Sequence, residues 1–174
     1  WNPEFLREGF AVEDTLNPDR MVYGLPDDPA DAERATAVLD ELYAPIIESG
    51  TPRLVMDYAT AELVKTAANS FLATKISFIN AMAHLCDTAG AAVTVLADAI
   101  GHDPRIGRRF LQAGVGFGGG CLPKDIRALQ ASANLHGARH LAALLGQVDS
   151  INREQRDRIV EQARAHVGGD LSGK

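Results

Sequence analysis

The sequence predicts a mainly α fold: a helical domain built on one long core helix, preceded by the tail of an α/β unit. Three observations carry this. A short strand, a helix and a second short strand lie before Met56, the ending of an α/β unit. From Thr60 to Ala89-Gly90 small or apolar residues then recur mostly at intervals of three and four. After that come helical stretches and one glycine-rich loop that ends in a cysteine.

Residues 1–25 are turn-rich, with Asn2-Pro3 opening a turn. Arg20–Gly24 reads as a strand that stops at Gly24-Leu25-Pro26. Asp28-Pro29 opens a helix, because proline suits the first helical position and Asp31 and Glu33 suit the positive end of its dipole. Ala35, Val38, Leu39 and Leu42 give that helix its apolar spacing, and it fades between Pro45 and Gly50. Arg53–Met56 is the second strand. The long helix carries Leu63, Ala67, Ser70, Phe71, Thr74, Phe78, Met82 and Leu85 on one side, and Val64, Ile76, Ile79 and Ala83 elsewhere. Apolar residues on more than one face predict wide burial, which suggests a dimer interface; the alternative is a core helix of the domain alone. A short helix over 91–100 ends at Gly101, another runs from about Pro123 to Asn134 and stops at His136-Gly137, and a last one covers 139–167. Val148, Ile151, Ile159 and Ala163 mark the apolar stripe of the last, whose second half is polar like a connector.

Composition narrows the function. The 174 residues are 46% hydrophobic, enough for a core, and the net charge of −6 argues against a nucleic-acid surface. Two cysteines, Cys86 and Cys121, make neither a disulfide framework nor a metal site, which fits a reducing cytoplasm. Five histidines show no ligand spacing, so no metal is expected. No apolar run reaches the ~18 residues of a membrane span, and no signal peptide is visible. The chain begins at Trp1 and stops at Ser172-Gly173-Lys174, so both ends are expected to be cut.

Three clusters carry chemistry. In the first, Glu4 and Glu8 lie four apart around Phe5, Leu6 and Arg7, on one face if the piece is helical; a solvated charged turn is the plainer reading. In the second, Lys65 and Asn69 are one helical turn apart in an otherwise apolar stretch. Both can donate to a developing oxyanion, or they are a snorkelling lysine and a packed asparagine. The third is Gly114–Asp125, with five glycines in the seven positions before Cys121. Stripped of side chains, such a loop lets backbone N–H groups approach a ligand, and the helix start after Cys121 adds orphan N–H groups and a positive dipole end. Lys124 adds a cation, and Asp125 a carboxylate four residues on. Cys121 held this way suits a nucleophile, against the alternative of a small buried hydrophobe. Together the clusters supply a thiol, an oxyanion site and carboxylates, a set that fits acyl chemistry at an aldehyde or thioester.

The order NPEFLREG, AELVKTAANSFLATKISFIN, GHDPRIG, FLQAG and GFGGGCLPKD resembles the UDP-glucose/GDP-mannose dehydrogenase family over nearly the whole chain. The resemblance implies residues 1–58 as the end of an NAD-binding Rossmann-like domain, 59–150 as a central helical dimerisation domain, and 151–174 as a connector toward a nucleotide-sugar domain. It implies oxidation of a nucleotide sugar's C6 alcohol to a carboxylate with two NAD⁺, UDP-glucose the expected substrate and GDP-mannose or UDP-N-acetylmannosamine the alternatives. Cys121 would form a thiohemiacetal and then a thioester; Lys65 and Asn69 would stabilise oxyanions. Asp125 would position or activate water with Lys65, and Glu8, with Glu4 nearby, would serve thioester hydrolysis. Glu4, Phe5, Leu6, Phe110, Leu111, Gln112, Ala113, Gly114 and Gly118 would hold the nucleotide sugar, Arg105 would reach substrate in a neighbouring subunit, and Glu8 and Lys124 would contact NAD.

Three positions depart from the family pattern. Gly120 stands where the loop usually has serine, Ala81 follows Asn80 where glutamate is common, and Thr66 replaces an aromatic residue. None removes a residue essential to the scheme. No GxGxxG turn of the Rossmann kind occurs, since the glycine loop leads to a thiol and follows no strand. The chain is therefore expected to be a middle piece, bound to NAD mainly through a domain it lacks and inactive alone; a purely structural helical assembly module is the rival reading.

Overall fold

A computed structural model describes Arg7 and residues 9–172. It is mainly helical with one two-stranded parallel sheet, in the order α1 (Ala11–Leu16), β1 (Met21–Leu25), α2 (Pro29–Leu42), α3 (Ala44–Glu48), β2 (Arg53–Asp57), α4 (Tyr58–Ala89), α5 (Val93–Gly101), α6 (Leu122–Leu135) and α7 (Arg139–His166). The chain divides into two compact units, residues 1–67 and 68–174, so α4 begins in the first and continues in the second.

In the first unit β1 pairs with β2 in parallel, Met21 opposite Arg53 and Leu25 opposite Asp57. All five β1 residues are buried, as a continuous apolar run in a parallel sheet should be. Ala32, Ala35 and Leu39 of α2, with Tyr43 and Ile46, pack on Met21, Tyr23 and Leu25. Asp28 caps α2 by accepting the Asp31 N–H at 3.0 Å, with Pro29 at the helix start. Val38 and Leu42, expected on the packed face, are exposed instead: the sheet meets only the stripe through Ala35 and Leu39. Gly24 does not end its strand. It sits inside β1 because the first turn of α4 presses against it, and a Cβ there would meet the Cβ of Ala61 at 2.9 Å.

Two short helices were not legible. α1 rests on a charge pair: Arg7 donates to Asp14 from its backbone N–H at 2.7 Å and from its guanidinium at 2.7 Å. α3 follows Tyr43, which both closes α2 and starts the next turn. At the head of α4, Asp57 accepts the Thr60 N–H at 2.8 Å and its hydroxyl at 2.7 Å. These bonds, the backbone one foremost, hold the Asp57 carboxyl below its ordinary range. A depressed folded-state pKa contributes stability above the unfolded value, lost as pH falls through the folded value. Acid titration of the melting midpoint below about pH 4 should therefore fall less steeply in Asp57→Asn than in the unaltered chain; parallel curves would remove this cap from the acid transition.

In the second unit α6 and α7 pack on each other and on α4 around Ala73, Phe117, Ile126, Leu129, Leu145 and Val148, with Ile76 and Leu122 at the margin. Ser77 of α4 donates to the Val148 carbonyl at 2.9 Å, both groups buried. Within the single chain, the hidden face of α4 is made of small and polar residues, Ala73, Ser77, Asn80 and Ala83 with Ile79 and Cys86, while Phe71, Phe78 and Leu85 stand 50% or more exposed. Gly101 closes α5 from within as its last, buried residue.

Candidate active site

Cys121 occupies the N-cap of α6 and is exposed. Its carbonyl accepts the Asp125 N–H at 2.9 Å, the first helical bond, and Pro123 lies in the first turn where a missing N–H costs nothing. Asp125 is buried in that turn. A buried carboxylate needs partners, and the structure supplies them: Asn69 Nδ2 of α4 donates to Asp125 Oδ2 at 2.6 Å, and Lys124 Nζ lies 3.6 Å from Oδ1. Two residues 56 positions apart thus meet. Lys65 is half-buried on α4, one helical turn before Asn69. Lys124 is mostly exposed and leans on Asp125.

The stretch before the thiol is tied at several points. Leu111 is buried, while Phe110 is half-exposed with φ +65°, a strained value for a non-glycine residue. Leu111, Gln112 and Ala113 line a cavity of about 450 Å³ against Val93, Thr94 and Ala97 of α5, within the range of small-molecule sites. The Gly114 N–H donates to Asn80 Oδ1 at 2.8 Å and its carbonyl accepts from Gln155 at 2.8 Å. Phe117 drives its ring into the core while its N–H and C=O both bond Asn152 of α7, at 2.8 and 2.9 Å. Arg156 donates to the same carbonyl at 2.8 Å. At Gly118, Gly119 and Gly120 an added Cβ would meet no atom within 4 Å. Arg105 is turned back on Asp103, donating from Nη2 at 2.6 Å, which holds the Asp103 carboxyl below its usual range. Its loop is propped by Lys75, whose Nζ donates to the Ile106 carbonyl at 2.9 Å.

Glu4, Phe5, Leu6 and Glu8 lie outside the described residues. Asn80, Asn152, Gln155 and Arg156 carry the loop yet were not singled out by sequence. Asn152 had a signal: it continues the buried stripe of Leu145 and Val148 at spacings of three and four, so an amide stands at a core position, where it must find bonds.

Comparison with known proteins shows the family of the chain. The family model of the UDP-glucose/GDP-mannose dehydrogenase central domain matches residues 59–154, more than half of the chain, and takes in Asn69, Cys121, Asp125 and Asn152. The chain belongs to the UDP-glucose/GDP-mannose dehydrogenase family. The NAD-binding-domain model of that family matches residues 1–47. A UDP-glucose 6-dehydrogenase of Rickettsia felis is 47% identical over 99% of this chain and 37% of its own length. One from Bacillus subtilis is 44% identical over 99% and 35%. A solved UDP-glucose dehydrogenase from Pyrobaculum islandicum superposes with a TM-score of 0.86 at 40% identity, over 96% of this chain and 36% of that one. The chain thus spans somewhat over a third of the length of these relatives.

The helix that follows β1 is where a dinucleotide's pyrophosphate would sit, and a pyrophosphate needs a glycine turn and a bare helix N-terminus. Here α2 starts with Asp28 spending its carboxylate on the Asp31 N–H, and Asp31 adds a second negative charge in the first turn. These residues do not fit a pyrophosphate. No helix of the described residues is long and apolar enough to cross a membrane.

Proposed function

We propose that this chain carries the thiol machinery of an NAD-dependent nucleotide-sugar 6-dehydrogenase, with UDP-glucose oxidised to UDP-glucuronate. The observation that carries the reading is the exposed Cys121 at a helix start, one turn from a buried Asp125 held by Asn69, in a chain of this family. NAD⁺, bound chiefly by residues beyond those described, supplies the acceptor for both oxidations. Leu54 and Val55 of β2 are exposed, although parallel strands ordinarily have both faces covered; this supports an NAD domain larger than the part present here.

The chain's own residues account for the acyl steps. Once the C6 alcohol has become an aldehyde, Cys121 Sγ forms a C–S bond to C6 and the carbonyl oxygen becomes the hydroxyl of a thiohemiacetal. Loss of the remaining C6 hydrogen as hydride, with the hydroxyl proton, gives a thioester. Water then forms a C–O bond as the C–S bond breaks, which releases carboxylate and restores the thiol. Lys65 and Asn69 stabilise the oxyanions as donors, and Asp125 orients water, with Glu8 and Glu4 assisting hydrolysis. Leu111–Gly114 and Gly118, with Phe110, Phe5 and Leu6, hold the nucleotide sugar, and Lys124 contacts NAD. Arg105, paired with Asp103 in this structure, would leave that carboxylate to reach substrate of a second subunit. The exposed Phe71, Phe78 and Leu85, seven apart on α4, support a homodimer along that helix; a monomeric mass for the full-length protein in equilibrium sedimentation would remove it.

The full-length protein supplied with UDP-glucose should form two NADH for each UDP-glucuronate, followed by absorbance at 340 nm and by chromatography of the acid. One NADH per sugar would leave the aldehyde as product and end the thioester scheme. Turnover of GDP-mannose or UDP-N-acetylmannosamine in its place would move the substrate assignment.

A further inference from the structure

The glycine segment poses a positioning problem. From Gly118 to Gly120 the chain has no side chains and no neighbouring atom within 4 Å of any Cβ position. Among the described residues no atom stands where a side chain of that segment would pack, so the place of Cys121 is set chiefly from the two ends, by the start of α6 and by whatever holds Phe117.

Asn152 holds Phe117. It is 1% exposed, and its side chain spends both its oxygen and its nitrogen on that one residue: Oδ1 accepts the Phe117 N–H at 2.8 Å and Nδ2 donates to the Phe117 carbonyl at 2.9 Å. A carboxamide sets a donor and an acceptor side by side, matched to the N–H and C=O of one residue. Gly116 beside it lies at φ +98°, and a Cβ there would come within 2.3 Å of Asn152 Oδ1, so the glycine makes room for the amide. Arg156, one helical turn on, adds a second donor to the same carbonyl. A buried amide costs stability unless bonded, and a core position here would be filled more simply by leucine if packing were its task.

We propose that Asn152 is a positioning residue for the Cys121 thiol, clamping Phe117 so that the glycine segment delivers the sulfur to the substrate carbon. The proposal rests on the functional reading above. A small misplacement of a reacting atom lowers the chemical step by about 10²-fold, while substrate contacts outside the glycine loop are spared. In the full-length protein, Asn152→Ala should lower kcat per folded molecule by about 10²-fold, a larger change than the accompanying rise in KM. Hydrogen exchange followed by mass spectrometry should quicken about tenfold or more in the peptide over 114–121, with that of α4 unchanged. Unaltered kcat per folded molecule, or unaltered exchange, overturns the proposal. A purely structural role would lower the melting midpoint and the folded fraction but leave kcat per folded molecule in place.

Should Asn152→Ala not fold, Arg156→Ala carries the test, since Asn152 still bonds the carbonyl: kcat should fall about tenfold, and unchanged turnover overturns the clamp. The functional reading fails separately, if the unaltered protein oxidises no nucleotide sugar. The clamp is then judged by exchange alone, quickened in the loop or not.

Discussion

Replacing Cys121 by serine in the full-length protein is expected to stop formation of UDP-glucuronate, with a loss on the order of 10³-fold or more, the scale on which removal of a covalent nucleophile is felt. Serine is close in shape, and Cys121 is exposed with no side-chain capping bond. Stability should accordingly stay within about 0.5 kcal/mol, as for surface substitutions. The chemistry changes more than the shape. A neutral hydroxyl at a helix start is a poorer nucleophile than a thiol, and an oxygen ester would be cleaved less readily than a thioester. NADH release and acid analysis check this, and turnover at the unaltered rate would take the nucleophile's role away from Cys121. Differential alkylation against Cys86 decides less, because Cys86 is buried and Cys121 exposed, so exposure alone separates them.

Gly116→Ala is expected to be the most damaging single-methyl change in the loop. The left-handed φ of +98° costs an L-residue roughly 1–2 kcal/mol. The new Cβ would also lie 2.3 Å from Asn152 Oδ1, which cannot yield without giving up its bond to the Phe117 N–H, a loss of about 1–3 kcal/mol for a buried group. Together these predict roughly 2–5 kcal/mol, hence a fall in melting midpoint of about 4–20 °C for a chain of this size. Gly118→Ala is the control, since its Cβ meets nothing within 4 Å and the midpoint should hold. Thermal denaturation of both variants is the measurement, and equal midpoints would show that the Gly116–Asn152 contact is not a constraint on the fold.

Much of the fold was readable because its signals are local. Asp28-Pro29 carries a helix start in two residues, through an acceptor for the Asp31 N–H and a pre-set φ. Cys121 preceding Leu122-Pro123-Lys124-Asp125 likewise announced the start of α6. The short α1 escaped notice, because what holds it is a pairing of Arg7 with Asp14 across seven residues. Which face of α4 the chain itself covers is not readable from sequence for a related reason. Periodicity reports which residues share a face, not which face a neighbour will cover, and here the neighbours took the side of Ala73, Ser77 and Asn80.

The sequence by itself determined the starts of α2 and α6 and the family, and it singled out Cys121 as the candidate thiol. Each depends on residue order over short spans: a cap, a period, a run of glycines before Cys121. Only the tertiary structure decided who touches the thiol's loop. Asn69 reaches Asp125 across 56 residues, and Asn152 reaches Phe117 across 35. Such bonds exist because folding buries polar groups that must then find partners, and the choice of partner is made by packing of α4, α6 and α7 rather than by any neighbour in the chain. Asn152 therefore looked like one more polar residue of a connector helix until the fold placed it against Phe117.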